Sequence, residues 1–324
     1  MSLLASRPPH ELARALDILG GRRFVTLTGA GISTDSGIPD YRGPRPAGTP
    51  PARMPMTYQD FIASPRNRRR YWARAHVGWS RMHTADPNPG HLALARLTRE
   101  LVITQNVDGL HRRAGQHHLI ELHGRISDVV CLDCDRRRDR VWMQQTMAAA
   151  NPGYAEAHAH SIARPDGDVD LDDTDTFVVP ICPDCGGRLK PDVVFFGENV
   201  PKPRVARCLA AVEETQALLV VGSSLTVMSG LRFVRQAHRR GVPIVIVNRG
   251  ATRGDELATI RLELGCSQFL GVLLRELRRG PAGGATRPAA PDDYGSERSR
   301  IVAESAPSLS STGPGTGFST SSTA

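Results

Sequence analysis

The turn Gly29-Ala30-Gly31, set directly after the β-branched and apolar run Phe24 to Thr28, constrains this chain more than any other feature. A strand that ends in glycines and passes into a helix is the usual opening of a nucleotide fold, because glycine permits a tight turn and a close backbone approach. Further strand-like runs occur at Leu101 to Thr104, His118 to Leu122, Leu218 to Val221, Pro243 to Val247 and Ile260 to Leu264. Apolar residues at helical spacing separate or flank them at His10 to Leu19, Pro203 to Gln216, Gly230 to Arg240 and Ser267 to Arg279. This alternation predicts an α/β fold, a Rossmann-like doubly wound parallel sheet with helices on both faces.

Two regions break the rhythm. Residues 125–190 hold paired cysteines and an acidic stretch from Asp166 to Asp175, and read as a smaller inserted module within a catalytic domain spanning 1–280. Residues 281–324 are rich in Pro, Gly, Ser, Thr and Ala and are expected to form a disordered tail.

The glycine turn alone does not choose between nucleotide enzymes. Its third fingerprint glycine is replaced by Thr34, and residues 44–59 contain no Asp or Glu where a dehydrogenase would hold the ribose hydroxyls. That absence argues against hydride transfer.

Cys131 and Cys134, then Cys182 and Cys185, form two CxxC pairs, the spacing that lets each pair give two thiolates to one tetrahedral ion. Four thiolates leave no position for water, so the expected zinc is structural. Disulfides are the alternative. Met1 to Pro9 lacks a basic region followed by an apolar stretch, so a cytoplasmic location is expected, where thiols stay reduced. The interval between the pairs exceeds the roughly 15–20 residues of a simple ribbon, so an insertion must loop out.

No run approaches the roughly 20 apolar residues of a membrane span, and no membrane partner is expected. Net charge is +8, yet the arginine patches Arg66 to Arg70 and Arg136 to Arg140 carry no interleaved aromatics. Nucleic acid is therefore not expected as a partner.

The stretch GAGISTDSGIPDYRG (Gly29 to Gly43) closely resembles the cofactor loop of the sirtuins, the NAD-dependent protein deacylases. TQNVDGLH (Thr104 to His111), ELHG (Glu121 to Gly124), KPDVVFFGE (Lys190 to Glu198) and GSSL (Gly222 to Leu225) follow in the sirtuin order. PMTYQDF (Pro55 to Phe61) and RYWARAHVGW (Arg70 to Trp79) are similar to the class II branch.

The resemblance implies that an acyl-lysine oxygen attacks the ribose carbon bearing nicotinamide, giving free lysine and 2'-O-acyl-ADP-ribose. It assigns His123 as general base, with Asn106 and Asp108 at the nicotinamide and its ribose and Gln105 on the ribose. It implies NAD contacts from Gly29, Ala30, Gly31, Asp40, Tyr41, Arg42, Gly222, Ser223 and Ser224, with Asn248 and Cys266 near the adenosine. Val193, Val194, Phe195, Phe196 and Gly197 would receive the acyl-lysine protein as an added strand. Tyr71 and Arg74 have the Tyr-x-x-Arg spacing of the succinyl- and malonyl-specific members, and equally suit simple helix packing. Mono-ADP-ribosyl transfer or lipoamide hydrolysis at the same site, or a non-catalytic zinc-bearing interaction module, stay open as alternatives.

Overall fold

The computed structural model describes residues 10–41, 55–97, 100–159, 171 and 173–279. Arg42, most of the acidic stretch and the expected tail lie outside the described residues. In chain order, α1 (His10–Gly20) leads into β1 (Phe24–Thr28), and two 3-10 turns follow. Next come α2 (Tyr58–Ala63), α3 (Pro65–Thr84), α4 (Pro89–Ala95), β2 (Leu101–Thr104), α5 (Leu110–Arg113) and β3 (Leu119–Glu121). The chain then forms β4 (Gly124–Cys131), β5 (Arg137–Asp139), α6 (Arg140–Ala150), α7 (Tyr154–Ala157) and β6 (Leu189–Val193). It closes with α8 (Lys202–Glu214), β7 (Ala217–Val221), α9 (Met228–Arg239), β8 (Ile244–Val247), β9 (Ile260–Leu262) and α10 (Cys266–Arg279).

Six strands make one parallel sheet in the order β3-β2-β1-β7-β8-β9. The chain winds outward from β1 to one edge, then restarts beside β1 at β7, which makes the β1–β7 border the topological switch point. Both faces of the sheet are buried. Along β7, Ala217, Leu219 and Val221 join one apolar cluster while Leu218 and Val220 join the other. Along β8, Val245 and Val247 face the first cluster and Ile244 and Ile246 the second. A strand covered on both faces reads as an unbroken apolar run, which is why these strands were visible in the sequence.

The first cluster takes Ala15 and Leu19 of α1, Leu94 of α4 and Phe269, Leu270 and Leu273 of α10. The second takes Cys208 and Val212 of α8 and Phe233, Val234 and Ala237 of α9. Cys208 is thus a core residue.

A second, antiparallel sheet, β5-β4-β6, carries the cysteines. Its apolar cluster extends beyond the 125–190 span read from the sequence. Phe61 of α2 and Trp72, Ala73 and Ala75 of α3 pack with Val129, Met143, Met147 and Leu189. The arginine-rich segment before β2 therefore belongs with the cysteine sheet. Among the described residues, no helix is long and apolar enough to cross a membrane.

Candidate active site

The ladder aligns Thr28 with Thr104 and with Val221, and Val221 with Val247. The next residues in each strand, Gly29, Gln105, Gly222 and Asn248, consequently stand in a row along the carboxyl edge of the sheet. In open α/β sheets, ligands bind at this edge beside the switch point.

Glycine is required here by the approach of one loop to another. A Cβ on Gly29 would lie 2.8 Å from Ser223 Cβ, and one on Gly31 would lie 2.8 Å from Gly222 Cα. Gly222 has φ of +63°, and a Cβ there would meet Ile32 N at 2.4 Å. The Gly29 and Gly31 amides donate to the carbonyls of Val221 and Gly222, at 3.2 and 2.8 Å. The glycines thus lock the β1 loop against the β7 loop, and those two amides are already committed. Cys266 donates to Gly31 O at 3.5 Å from behind this turn. It is buried and lies outside the cavity lining, so its contribution is packing under the turn.

A 3-10 turn at Ala30–Ile32 places Ser33 over the β2 loop. Asn106 Nδ2 donates to Ser33 Oγ (3.0 Å), and Ser33 Oγ donates to Asp108 Oδ2 (2.7 Å). Asp108 Oδ1 also accepts from the Leu110 amide at 2.9 Å, at the start of α5. Burial raises the Asp108 carboxyl above its ordinary range, and these donors partly offset it. Gln105 Nε2 bridges the two loops, donating to Thr28 O (3.2 Å) and Ser223 Oγ (2.8 Å).

His123 follows β3 by two residues and keeps one edge open to the cavity. Its Nδ1 lies 2.8 Å from Gln105 O and its Nε2 lies 2.8 Å from Ser229 Oγ. A carbonyl only accepts, so Nδ1 carries the proton. Desolvation pushes the ring down to about 4, with the Arg204 charge adding to the effect and the Gln105 hydrogen bond opposing it. The neutral ring therefore presents a lone pair at Nε2, which the Ser229 hydroxyl meets as donor.

The opposite wall comes from the cysteine sheet. Val194 N donates to His123 O (2.8 Å) and Phe195 N to Glu198 Oε2 (2.8 Å). Tyr58 N donates to Phe196 O at 2.9 Å, and Thr57 and Phe196 form an isolated parallel bridge. Phe195 packs against Phe61 and Tyr71 with ring centroids 5.2 and 5.1 Å apart, and Phe196 meets Tyr41 edge-on at 6.0 Å. Lys190 is buried, paired with Glu198 at 3.2 Å and lying 4.9 Å from the Phe195 ring centroid.

Tyr71 and Arg74 part company. Tyr71 lines the cavity, whereas Arg74 does not line it and is buried, its Nε donating to Leu171 O at 3.1 Å. Of the two, the structure brings only Tyr71 to the cavity, and Arg74 packs beneath the wall.

The four cysteines converge. Cys131 and Cys185 sulfurs lie 3.6 Å apart, Cys134 and Cys182 sulfurs 3.8 Å, and all four lie within 4.8 Å of one another. A tetrahedron with zinc–sulfur bonds of about 2.3 Å has edges of about 3.8 Å, so the set fits zinc and excludes disulfides. The two turns are built alike. The residue after each second cysteine, Asp135 or Gly186, has positive φ, and Arg188 pairs with Asp133 as Arg138 pairs with Asp184, each at 2.6 Å.

One cavity of about 1220 Å³ joins these parts. It is lined by Gly29, Ala30, Gly31, Asp40, Tyr41, Gln105, Asn106, Asp108, His123, Gly222, Ser223, Ser224 and Asn248, and by Tyr71 and Val193 to Gly197. Its size exceeds the roughly 300–1,000 Å³ of usual small-molecule sites, leaving room for a dinucleotide beside a second substrate. Sequence reading missed Ser33, whose place inside the glycine motif was the available signal, and Ser229, which had none.

Comparison with known proteins agrees with this geometry. The family described as "Sir2 family" matches residues 29–229. NAD-dependent protein deacetylase 1 of Mycobacterium avium (strain 104) is 51% identical over 274 residues, covering 82% of this chain and 96% of its own. The protein of the same name from Streptomyces coelicolor is 52% identical, covering 80% and 88%. A solved structure of Sir2 with a p53 peptide and NAD+ superposes with a TM-score of 0.66 at 31% identity, covering 82% of this chain and 98% of that one.

Proposed function

The chain belongs to the Sir2 family, and on that premise we propose that it is an NAD-dependent protein-lysine deacylase, passing the acyl group of acyl-lysine to ADP-ribose with release of nicotinamide. The observation that carries the reading is His123, a neutral imidazole whose acceptor nitrogen opens onto the same cavity as the glycine edge.

The roles follow from position. NAD brings the ribose carbon to which the acyl oxygen transfers. Gly222, Ser223, Ser224 and Asn248 line its path along the sheet edge, and Asp40 and Tyr41 line the near side. Asn106, Ser33 and Asp108 form a preorganised polar chain that spares the nicotinamide end the cost of ordering side chains during reaction. His123 Nε2 accepts the proton that frees the product, and a base with a low proton affinity stays available at neutral pH. The four-cysteine zinc is structural and holds the opposite wall.

The acyl-lysine chain is taken between Val193 to Gly197 and the facing loop. Val194 N and Phe195 N are engaged internally, so an added strand must use the remaining backbone groups. Around the acyl end, Tyr71, Phe195 and Phe196 offer aromatic walls, and the burial of Arg74 favours a neutral acyl group such as acetyl over an acidic one. Class II membership is supported by the long stretch between the cysteine pairs. A cytoplasmic setting accords with six cysteines of which none is in a disulfide.

Incubating NAD with acetyl-, succinyl-, glutaryl- and lipoyl-lysine peptides tests the reading by mass spectrometry. Deacetylated peptide that disappears in His123→Ala supports it. ADP-ribosylated protein with intact acyl groups would replace it with mono-ADP-ribosyl transfer, and no NAD turnover would leave an interaction module.

A further inference from the structure

The proposed base is held from two sides, and only one of the two holders belongs to a motif read from the sequence. Gln105 O fixes Nδ1. The second contact comes from the first turn of α9, where Ser229 lines the cavity and its hydroxyl lies 2.8 Å from Nε2. Next to it, Gly230 is buried, and a Cβ there would lie 2.5 Å from Gln105 Oε1. Two consecutive residues of one helical turn therefore touch both His123 and the residue that grips its other nitrogen.

We propose that Ser229 is a positioning residue for the deacylation reaction: its hydroxyl holds His123 Nε2 toward the cavity, while Gly230 beside it leaves room for the Gln105 side-chain amide that bridges Thr28 O and Ser223 Oγ. The inference rests on the proposed deacylase reading for its kinetic consequence but not for its structural one. A ring pivoted only at Nδ1 can rotate about its side-chain bonds. A ring held at both nitrogens presents its lone pair in one direction, and misplacing a reacting group by about 1 Å can cost about a hundredfold in rate. The serine is suited to the task because its hydroxyl can donate to Nε2 now and yield to another donor later without leaving a charge behind.

The test uses the full chain. Ring nitrogen-15 NMR of ligand-free protein at neutral pH reports whether Nε2 accepts a hydrogen bond, with the His123 signal identified by its loss in His123→Ala. In Ser229→Ala the Nε2 resonance is expected to move to the position of a free acceptor, and kcat to fall about tenfold, the factor that one lost hydrogen bond of about 1.4 kcal/mol represents, with KM for NAD little changed. Ser229→Thr restores the hydroxyl and is expected to recover both. Gly230→Ala displaces the Gln105 side-chain amide and not its carbonyl, and is expected to leave the Nδ1 resonance in place. An unmoved Nε2 resonance in Ser229→Ala overturns the inference, as does wild-type kcat. Absence of deacylation in the wild-type protein would instead overturn the functional reading, while the NMR result would still decide whether Ser229 holds the ring.

Discussion

The two walls of the cavity are stabilised by different means. Every central strand of the parallel sheet is buried on both faces, and burial of a Val, Leu or Ile side chain contributes about 1.5–3 kcal/mol. The cysteine sheet has three strands, one of them the exposed Arg137–Asp139, and its two turns come together around four sulfurs. The Cys185 thiol opposes ionisation, pushed up to about 12 chiefly by the nearby Cys134, whereas Cys131 is lowered, its burial outweighed by the Asp133 and Cys134 amides. A divalent cation reverses that opposition. One wall thus rests on apolar burial alone, and the other joins an apolar cluster to a set of metal-ligating thiols.

The contrast can be broken most directly by removing the ion. Metal binding to such a site contributes on the order of 10 kcal/mol to folding. Chelation, or Cys131→Ser with Cys182→Ser, is expected to abolish hydrogen-exchange protection in β4 and β6 and all activity, while β1, β7 and β8 stay protected. Equal loss in both sheets would show that the parallel sheet does not stand alone.

The next largest effect falls on chemistry. His123→Ala is expected to lower kcat by about 10²–10⁴-fold with little change in melting temperature, read from steady-state nicotinamide release. Gly222→Ala strains the sheet edge through its positive φ and the 2.4 Å approach to Ile32 N. A cost of about 2–4 kcal/mol in chemical denaturation is expected, with the cysteine sheet unaffected.

Acid attacks the first wall through its buried histidines. His91 is pushed from its ordinary 6.5 to about 4 by desolvation, and its neighbour His111, 4.8 Å away between ring centroids, is pushed well below 6.5. Both fold neutral, so the unfolded chain binds more protons than the folded one below pH 6.5. Stability from this source is complete above about pH 6.5 and is lost as pH falls toward 4. Between pH 7 and 5, His91→Gln is expected to shrink the drop in unfolding free energy by about 2 kcal/mol.

The smallest effect separates packing from specificity on the second wall. Arg74→Ala is expected to lower stability by about 1–3 kcal/mol, as loss of a buried charged hydrogen bond does. The ratio of acetyl to succinyl turnover should stay within about twofold, and a larger shift would restore Arg74 as an acyl-reading residue.

What could be read from the sequence follows the same division. Strands buried on both faces announce themselves as apolar runs, and the residues directly after them, Gly29, Gln105, Gly222 and Asn248, needed only that placement to be brought together. The cysteines were legible because metal geometry imposes their spacing. The segment that packs behind them was not. It is rich in arginine, yet Trp72 to His76 are five consecutive buried residues. Their partners are distant in the chain: Leu189 O, which accepts from Trp72 Nε1 at 3.0 Å, lies 117 positions away. Arg140, buried between the rings of Trp72 and Trp79, was equally hidden. Ser229 was missed for the same reason: no local pattern marks a hydroxyl that meets a histidine from a distant strand.

Acyl transfer in this cavity consumes NAD. Its most direct test is the product stoichiometry of one reaction with NAD and an acetyl-lysine peptide. One nicotinamide and one 2'-O-acetyl-ADP-ribose for each deacetylated lysine is the expected result. Deacetylation without NAD loss, or NADH in place of nicotinamide, would contradict the account.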